Sequence, residues 1–285
     1  MKHPVRQLGK EAFPPLLTEI PDAPETLYVR GELPTTPLSY LAVVGSRKVS
    51  SYGKMVVEHL VSGLRGYPIC IVSGLALGVD TLAHIAALDA QLPTIAVPGS
   101  GLNDEVLYPK VNFQLAQRIL TSGNGLLSEY APDFAATEWS FPRRNRIMAG
   151  MCHATLLIEA QERSGTLITA RLTVDYNREL LVVPGNIFSE NSKGVHQFLK
   201  LGATPVTSPE DILESLSLQT SERVDSGQTY TPHELCILEV LSEPLTQDEI
   251  ISKTQLTTEI VLATLTGLEL SGVIIRNAGY IQRRI

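Results

Sequence analysis

The amino-acid sequence predicts an α/β protein with an extended Rossmann-like, doubly wound and mostly parallel sheet, plus a small C-terminal winged-helix domain. Three observations lead to this fold class. Short apolar runs rich in β-branched residues recur between residues 41 and 207, and segments of helical periodicity separate them. The runs do not alternate with polar residues, which is typical of strands covered by helices on both faces. After residue 230 the pattern changes to short capped helices followed by two β-prone runs.

Seven apolar runs are predicted to form the strands of the sheet. In chain order they are LAVVG (41–45), PICIVSG (68–74), PTIAVPG (93–99), GLLSEY (125–130), ATLLIEA (154–160), ELLVVPG (179–185) and ATPVT (203–207). Helical patterns between them include YGKMVVEHLVSGL, GVDTLAHIAALDA, FQLAQRIL, TLITARLTVDYN and GVHQFLKLG. Because strands and helices alternate, right-handed crossovers should place the strands parallel in one sheet.

The other segments of the chain suggest a division into four parts. These are a proline-rich, irregular N-terminal extension (1–40), the Rossmann-like domain (41–215), a polar linker (216–230) and the winged-helix domain (231–285). In the last part, Thr231 and Glu234 form a capping-box pattern with Pro232 at the first helical position, and Thr246 and Glu249 repeat the pattern. A third helical segment and two β-prone runs around a turn follow, which is the order of a winged helix.

Composition indicates a globular protein of the cytoplasm. The 285 residues are 44% hydrophobic, no run of about 18 apolar residues occurs, and the first ten residues lack the apolar core of a signal peptide. The three cysteines are far apart, so buried thiols in a reducing compartment are expected. Residues 1–209 hold 18 Lys and Arg against 18 Asp and Glu, whereas residues 210–285 hold 5 against 12. Any nucleic-acid contact must therefore come from a local basic cluster in the larger part.

Glycine turns follow most of the predicted strands. Strands one, two, three, five and six run into turns that contain Gly45, Gly74, Gly99, Gly165 and Gly185. Ligands of open α/β sheets bind beyond the carboxyl ends of the strands, where glycine lets main-chain amides approach and helix N-termini favour anions. The sequence therefore predicts an anion-lined crevice at this edge, with tight turns that need glycine only for their geometry as the alternative.

Two common nucleotide-binding motifs are absent from the sequence. The P-loop pattern G-x-x-x-x-G-K-[ST] does not occur, and strand one runs into Gly45-Ser46-Arg47 instead of G-x-G-x-x-G. A P-loop ATPase and a nicotinamide-dependent enzyme are therefore not expected. Arg47 is instead predicted to direct a planar cation, suited to phosphate oxygens, into the crevice.

A second group of cations lies between strands four and five. The stretch FPRRNRIMAG contains Arg143, Arg144 and Arg146, with Asn145 among them, and a helix over 144–151 is predicted to point at the same edge. A phosphate-binding or structural clamp is favoured over a solvated helix start with salt bridges. Since Arg143 and Arg146 are three residues apart, they could share a face, and Arg144 and Asn145 would then turn toward the protein body.

Other candidate residues are open to more than one interpretation. Lys110 is either a phosphate contact at the crevice rim or a plain surface lysine. Asp80 is interpreted as a helix cap before a catalytic acid, and Glu159 as a positioning group before an acid or base. No catalytic residue is assigned, and no metal site is predicted because Cys152 and His153 adjoin without further ligands at a suitable spacing.

A series of motifs occurs in order along the chain: VGSR, SSYG, SGLALGVDTLAH, AVPGSGL with YPK, SEY, FPRRNRIMAG, IEAQERSGTLITA and VPGNIFSENSKGVHQFLKLGA. Together they resemble the DNA-processing protein A family (DprA, also called Smf), from about residue 14 to residue 215. The C-terminal part is similar to the winged-helix appendage of many members. Many relatives also carry an N-terminal sterile-alpha-motif-like domain, which the short segment before strand one does not provide. Any function of that domain is expected to be missing or supplied elsewhere.

The resemblance implies a cytoplasmic homodimer that binds single-stranded DNA with no cofactor and no catalytic turnover. It implies protection of incoming strands during natural transformation and loading of the RecA recombinase, with single-strand-binding protein as a further candidate partner. By motif, the implied DNA-binding residues are Gly45, Ser46, Arg47, Lys110, Arg143, Arg144, Asn145, Arg146, Ser164, Gly165 and Thr166. Because a DNA-reading winged helix should be basic, the acidic one here is expected to contact protein or to modulate the main domain.

Two other functions stay open on the sequence. A Rossmann-like enzyme or sensor for a small nucleotide would use Asp80 or Glu159 in catalysis. A winged-helix transcription regulator would bind duplex DNA through residues 231–285, although the charge of that segment argues against it. For a single-strand binder, Tyr108, Phe141 and Phe188 are candidates for base stacking, and each could equally be a core residue.

Overall fold

A computed structural model describes residues 3–219, 231–241, 243–270, 273–277 and 279–283. The chain divides into two compact units, Met1–Val224 and Asp225–Ile285. Separate hydrophobic cores lie in the two units.

The first unit is built on a sheet that has nine strands within the described residues. They are β1 (Val5–Gln7), β2 (Tyr28–Gly31), β3 (Ser39–Val44), β4 (Ile69–Ser73), β5 (Thr94–Ala96), β6 (Gly125–Ser128), β7 (Ala154–Leu157), β8 (Glu179–Val182) and β9 (Thr204–Pro205). Their order in the sheet is β1-β2-β6-β5-β4-β3-β7-β8-β9. Strands β3 to β9 are parallel, whereas β1 and β2 pair antiparallel at one edge. The predicted fold class and its seven parallel strands are confirmed.

Helices cover both faces of this sheet. They are α1 (Ser51–Gly63), α2 (Val79–Asp89), α3 (Phe113–Thr121), α4 (Ser140–Met151), α5 (Thr166–Asp175), α6 (Lys193–Lys200) and α7 (Pro209–Ser215). Successive residues of β3 point to opposite faces, so Leu41 and Val43 pack with α1 and α2, while Ala42 and Val44 pack with α4 and α5. This double burial explains why the strands read as continuous apolar runs. None of the described helices is long and apolar enough to span a bilayer.

The segment before β3 differs from its prediction as an irregular extension. It contributes β1 and β2 to the main sheet, and Leu17 and Leu27 are fully buried in its core. Antiparallel pairing of β2 with β6 supplies the hydrogen bonds that stabilise this short strand. Four residues flanked by prolines are too few to show a periodic pattern, which is why the sequence did not reveal the strand.

The second unit contains helices and a small antiparallel sheet. Its elements are α8 (Pro232–Val240), β10 (Leu245–Thr246), α9 (Gln247–Thr254), α10 (Thr258–Leu270), β11 (Ile274–Asn277) and β12 (Tyr280–Arg283). The sheet order is β10-β12-β11. Both predicted capping boxes are present, at Thr231 with Glu234 and at Thr246 with Glu249. The winged-helix prediction is therefore confirmed.

Candidate nucleic-acid interface

A cleft of about 620 Å³ lies at the carboxyl ends of the central strands of the first unit. Strands β3 and β7 are neighbours there, but the chain continues from β3 to β4 on one side and from β7 to β8 on the other. Such a reversal of strand order is the place where open α/β sheets bind ligands. The walls come from segment 44–48 after β3, from α4, and from segment 161–169 around the start of α5.

The structure describes all eleven predicted DNA-binding residues and brings eight of them together in this cleft. Those eight are Gly45, Ser46, Arg47, Arg144, Asn145, Ser164, Gly165 and Thr166. Lys110, Arg143 and Arg146 are not among the residues that line it. Of the predicted glycine turns, those after β3 and β7 line the cleft with their glycines, and the turn after β4 lines it through Ala76. The glycines of the other predicted turns do not line it, so the crevice is narrower than the whole sheet edge.

Hydrogen bonds and close packing fix the turn after β3. The Thr166 hydroxyl donates to the Gly45 carbonyl at 3.1 Å, and the Lys48 N–H donates to the Ser46 hydroxyl at 3.1 Å. Gly78 has a φ of +77°, and a Cβ on it would collide with the Ser46 carbonyl. This close approach requires glycine, so the turn that carries Arg47 is held against the start of α2.

Glu159 holds the same turn through hydrogen bonds. It is buried and accepts hydrogen bonds from the N–H of Ser50, at 2.9 Å, and from the Ser50 hydroxyl. The Asn191 amide donates to the Lys48 carbonyl at 3.1 Å and to Glu159 at 3.3 Å. Glu159 therefore positions the Arg47 segment through Ser50 and Asn191, which agrees with the favoured interpretation of this carboxylate.

Arg144 is a buried charge in the wall of the cleft. Only 4% of the residue is exposed, and its guanidinium donates to the carbonyls of Gly74, at 2.6 Å, and of Val97, and to the Asn145 side chain. Asp80 accepts the N–H of Gly74 at 3.0 Å. Burial raises the pKa of Asp80, against the opposing pull of Arg144, and burial lowers the pKa of Arg144 to about 10. Arg144 thus stays charged at neutral pH and braces the turn after β4.

Two cations of the cleft lining remain available to a ligand. Arg47 and Lys48 are exposed, and within the described residues neither forms an ion pair with a carboxylate. The Arg47 guanidinium lies over the Phe141 ring, 5.4 Å from its centroid, and the Phe141 and Tyr108 ring centroids are 5.6 Å apart. The cleft therefore combines free positive charge with an aromatic wall. Lys48 was not singled out from the sequence, although it directly follows Arg47.

The other predicted cations are engaged outside the cleft. Arg146 pairs with Glu129, and Arg143 lies 3.5 Å from the same carboxylate, so these two arginines share a helix face as expected. That face packs against Glu129 and the N-terminal segment, where Arg146 also pairs with Asp22. The Lys110 amine donates to the carbonyls of Asp104, at 3.0 Å, and Glu105.

Other polar residues at the cleft were missed by the sequence interpretation. Glu138 and Gln161 line it, and Glu138 adds a negative charge next to the aromatic wall. Phe188, proposed for stacking, does not line it and is 87% exposed. Among the residues that the structure describes, no group of His, Cys, Asp and Glu could hold a metal ion.

Comparison with known families matches both units of the chain. The family model of DNA recombination-mediator protein A matches residues 5–217, and the DprA winged helix domain model matches residues 221–280. Protein Smf of Escherichia coli K12 is 41% identical over 214 residues, covering 75% of this chain and 57% of that protein. DNA processing protein DprA of Streptococcus pneumoniae R6 is 42% identical over 212 residues, covering 74% of each chain. The match thus spans a little over half the length of the E. coli relative.

Solved structures agree with these matches. The X-ray structure of DprA from Streptococcus pneumoniae has a TM-score of 0.69 at 41% identity, covering 75% of this chain and 74% of that chain. A structure of DprA from Helicobacter pylori, described for its single-stranded DNA binding mode, has a TM-score of 0.66 at 29% identity, covering 75% and 95%. Because the first family model covers well over half of the residues, this chain belongs to the DNA recombination-mediator protein A family, DprA.

Proposed function

We propose that this protein is a recombination mediator that binds single-stranded DNA in the cleft at the switch point of its sheet. The observation that carries the proposal is the pair of free cations, Arg47 and Lys48, beside the rings of Phe141 and Tyr108. A positive groove with aromatic platforms is what sequence-tolerant single-strand binding requires. The Helicobacter pylori relative, described as binding single-stranded DNA, supports the same ligand here.

The parts of the cleft have separate roles in this proposal. Arg47 and Lys48 contact phosphates, while the start of α5 at Ser164, Gly165 and Thr166 presents the positive end of a helix dipole. Phe141 and Tyr108 take a base face, which exists on every base. Arg144 contributes a fixed charge from the wall. Phosphates and base faces occur on every nucleotide, so binding through them should show little sequence preference.

The biological context of the proposal rests on the family. We infer protection of incoming strands in natural transformation and loading of RecA, with single-strand-binding protein as a further candidate partner and a homodimer as the acting form. The cytoplasm is the inferred location, supported by free thiols on Cys70, Cys152 and Cys236.

Binding without catalysis fits the two carboxylates better than turnover does. Asp80 is buried and accepts main-chain N–H groups, and Glu159 holds Ser50 and Asn191. Both carboxylates therefore already accept hydrogen bonds that hold the turns around the cleft. The family match likewise disfavours the small-nucleotide enzyme or sensor. A duplex-reading regulator gains no support from a second unit that holds 4 Lys and Arg against 8 Asp and Glu.

The double variant Arg47→Ala/Lys48→Ala tests this function. Affinity for a fluorescent oligo-dT should fall, and the slope of log affinity against log salt should shrink by about 1.4, because each lost phosphate contact removes about 0.7. Fluorescence anisotropy across salt measures both quantities. The charge-matched control is Arg171→Ala/Lys200→Ala, which removes two exposed cations that do not line the cleft. Unchanged affinity and slope in the first variant would remove the assignment of the site, and Lys110→Ala separately tests that predicted contact.

A further inference from the structure

An aromatic cluster lies directly beside the cleft. The Tyr130 and Phe134 rings are stacked with centroids 4.5 Å apart. Trp139 contacts both rings in T-shaped geometry, at 5.9 Å from Tyr130 and 5.6 Å from Phe134. Trp139 is nevertheless 53% exposed. The indole is therefore held in one orientation by its neighbours while about half of its surface faces solvent.

The position of Trp139 is continuous with the cleft. Its sequence neighbours Glu138 and Phe141 both line the cleft, and Trp139 itself is the N-cap residue of α4. The next residue, Ser140, is fully buried and donates its hydroxyl to the Gly99 carbonyl at 2.6 Å. This anchor fixes the backbone that carries the indole, so the ring is preorganised at the edge of the site.

An exposed cation lies one helical turn along α4 from Trp139. The Arg143 N–H donates to the Trp139 carbonyl at 3.3 Å, so the two residues are one helical turn apart on the same side of α4. The Arg143 side chain is 56% exposed even though it lies 3.5 Å from Glu129. An aromatic residue and an arginine one helical turn apart suit a base and its own phosphate.

We propose that Trp139 is a second stacking site, which takes an unpaired nucleobase of a strand that leaves the cleft, with Arg143 contacting the adjacent phosphate. The inference rests on the proposed single-strand binding and adds a second contact site for the strand beyond the cleft. Glu138, which precedes Trp139 and lines the cleft, repels phosphate, so the sugar-phosphate backbone should run on the Arg47 side with bases toward α4. The alternative occupant of an exposed indole is a partner protein, and the shared cleft wall favours DNA over it.

Trp139 is the single tryptophan of the chain, so its fluorescence reports on this site directly. Oligo-dT of about 12 nucleotides should change the emission on binding, whereas about 4 nucleotides should bind the cleft without changing it. An oligonucleotide of about 12 nucleotides whose outer positions are abasic keeps the phosphates but lacks the bases that would stack on Trp139. It should therefore bind without changing the emission, as the short oligo-dT does. Trp139→Leu should weaken binding of the long oligo-dT by about 5- to 150-fold, and Trp139→Phe should retain most of the affinity because it keeps a flat ring.

The outcomes separate this inference from the proposed function. If long oligo-dT binds in an Arg47-dependent way, yet emission stays constant and Trp139→Leu binds as tightly as the parent, the second site is overturned and the function stands. If Trp139→Leu weakens base-bearing and abasic strands equally, the residue acts through the structure of the site, and stacking is overturned. If no oligonucleotide binds the parent protein, the function itself fails. Thermal unfolding of both variants checks that the cluster around Tyr130 is intact.

Discussion

The arginines of α4 have different surroundings although they lie within four positions. Arg144 is enclosed by main-chain carbonyls, Arg146 is held by Glu129 and Asp22, and Arg143 keeps more than half of its side chain exposed. The residue type alone predicts affinity for phosphate in all three. Burial separates them, because Arg144 is 4% exposed and already donates three hydrogen bonds to Gly74, Val97 and Asn145. Sequence reasoning could find the cations, but their partners are too distant in the chain to be found by it.

A buried histidine makes the stability of the first unit depend on pH. His84 is fully buried against the Thr94 hydroxyl, at 2.8 Å, and burial lowers its pKa from 6.5 to about 3. Below pH 6.5 the unfolded chain takes up a proton that the folded chain refuses. Stability from this residue is therefore complete above pH 6.5 and is lost as pH falls toward 3. The slope should reach about 1.4 kcal/mol per pH unit.

We expect His84→Gln to flatten this dependence, because the amide can still bind Thr94 but does not titrate. Urea unfolding between pH 7 and pH 4.5 measures it. Burial lowers the pKa of His153 as well, so this residue also makes stability fall with falling pH. His153 is unchanged in the variant, so a smaller pH dependence should persist there. His233→Gln is the matched control, because an exposed side chain is in water in the folded and the unfolded chain alike. If the free energy of unfolding fell with pH at the same slope in His84→Gln as in the parent, protonation of other groups would dominate acid unfolding.

At the scale of elements, the sequence predicted the strands that have a local apolar pattern and missed β1 and β2. The runs that became β3, β4, β7 and β8 are recognisable because helices cover both faces of these strands. Strand β2 was missed because its pairing with β6 is a long-range contact that leaves no local pattern. Helix α4 begins at Ser140 and not near Arg144, because Pro142 is compatible with a first helical turn. Boundaries of this kind depend on tertiary contacts such as the Ser140 anchor.

The start of α5 offers a test that separates binding from folding. Gly165 lines the cleft with a φ of −58°, and a Cβ built on it meets nothing within 4 Å. Side chains there should therefore enter the cleft without strain. We expect single-strand affinity to follow Gly165→Lys above Gly165→Gln above Gly165→Glu, with about fivefold per unit of charge at low salt. Anisotropy gives the order, and thermal unfolding should show that the variants are similarly stable, with Glu favoured slightly at a helix start. Equal affinities would mean that the strand does not pass α5.

At the scale of the whole molecule, charge is divided unevenly between the two units. The chain carries a net charge of −7, and the second unit alone holds 4 Lys and Arg against 8 Asp and Glu. The clusters of buried residues lie wholly in one unit or the other, so each unit has its own core. The unit that carries the cleft should therefore fold and bind by itself.

We expect a fragment of residues 1–219 to bind oligo-dT at least as tightly as the full chain at low salt, because removal of an acidic unit lowers repulsion of the phosphates. The higher affinity of the fragment should disappear as salt is raised toward the physiological range, where charges about 8 Å apart are already screened. Anisotropy on both proteins across the same salt series measures it, and thermal unfolding confirms that the fragment is folded. The second unit would then act through protein contacts or on the first unit. If the folded fragment bound oligo-dT more weakly than the full chain at every salt concentration, the winged helix would contact DNA despite its net negative charge.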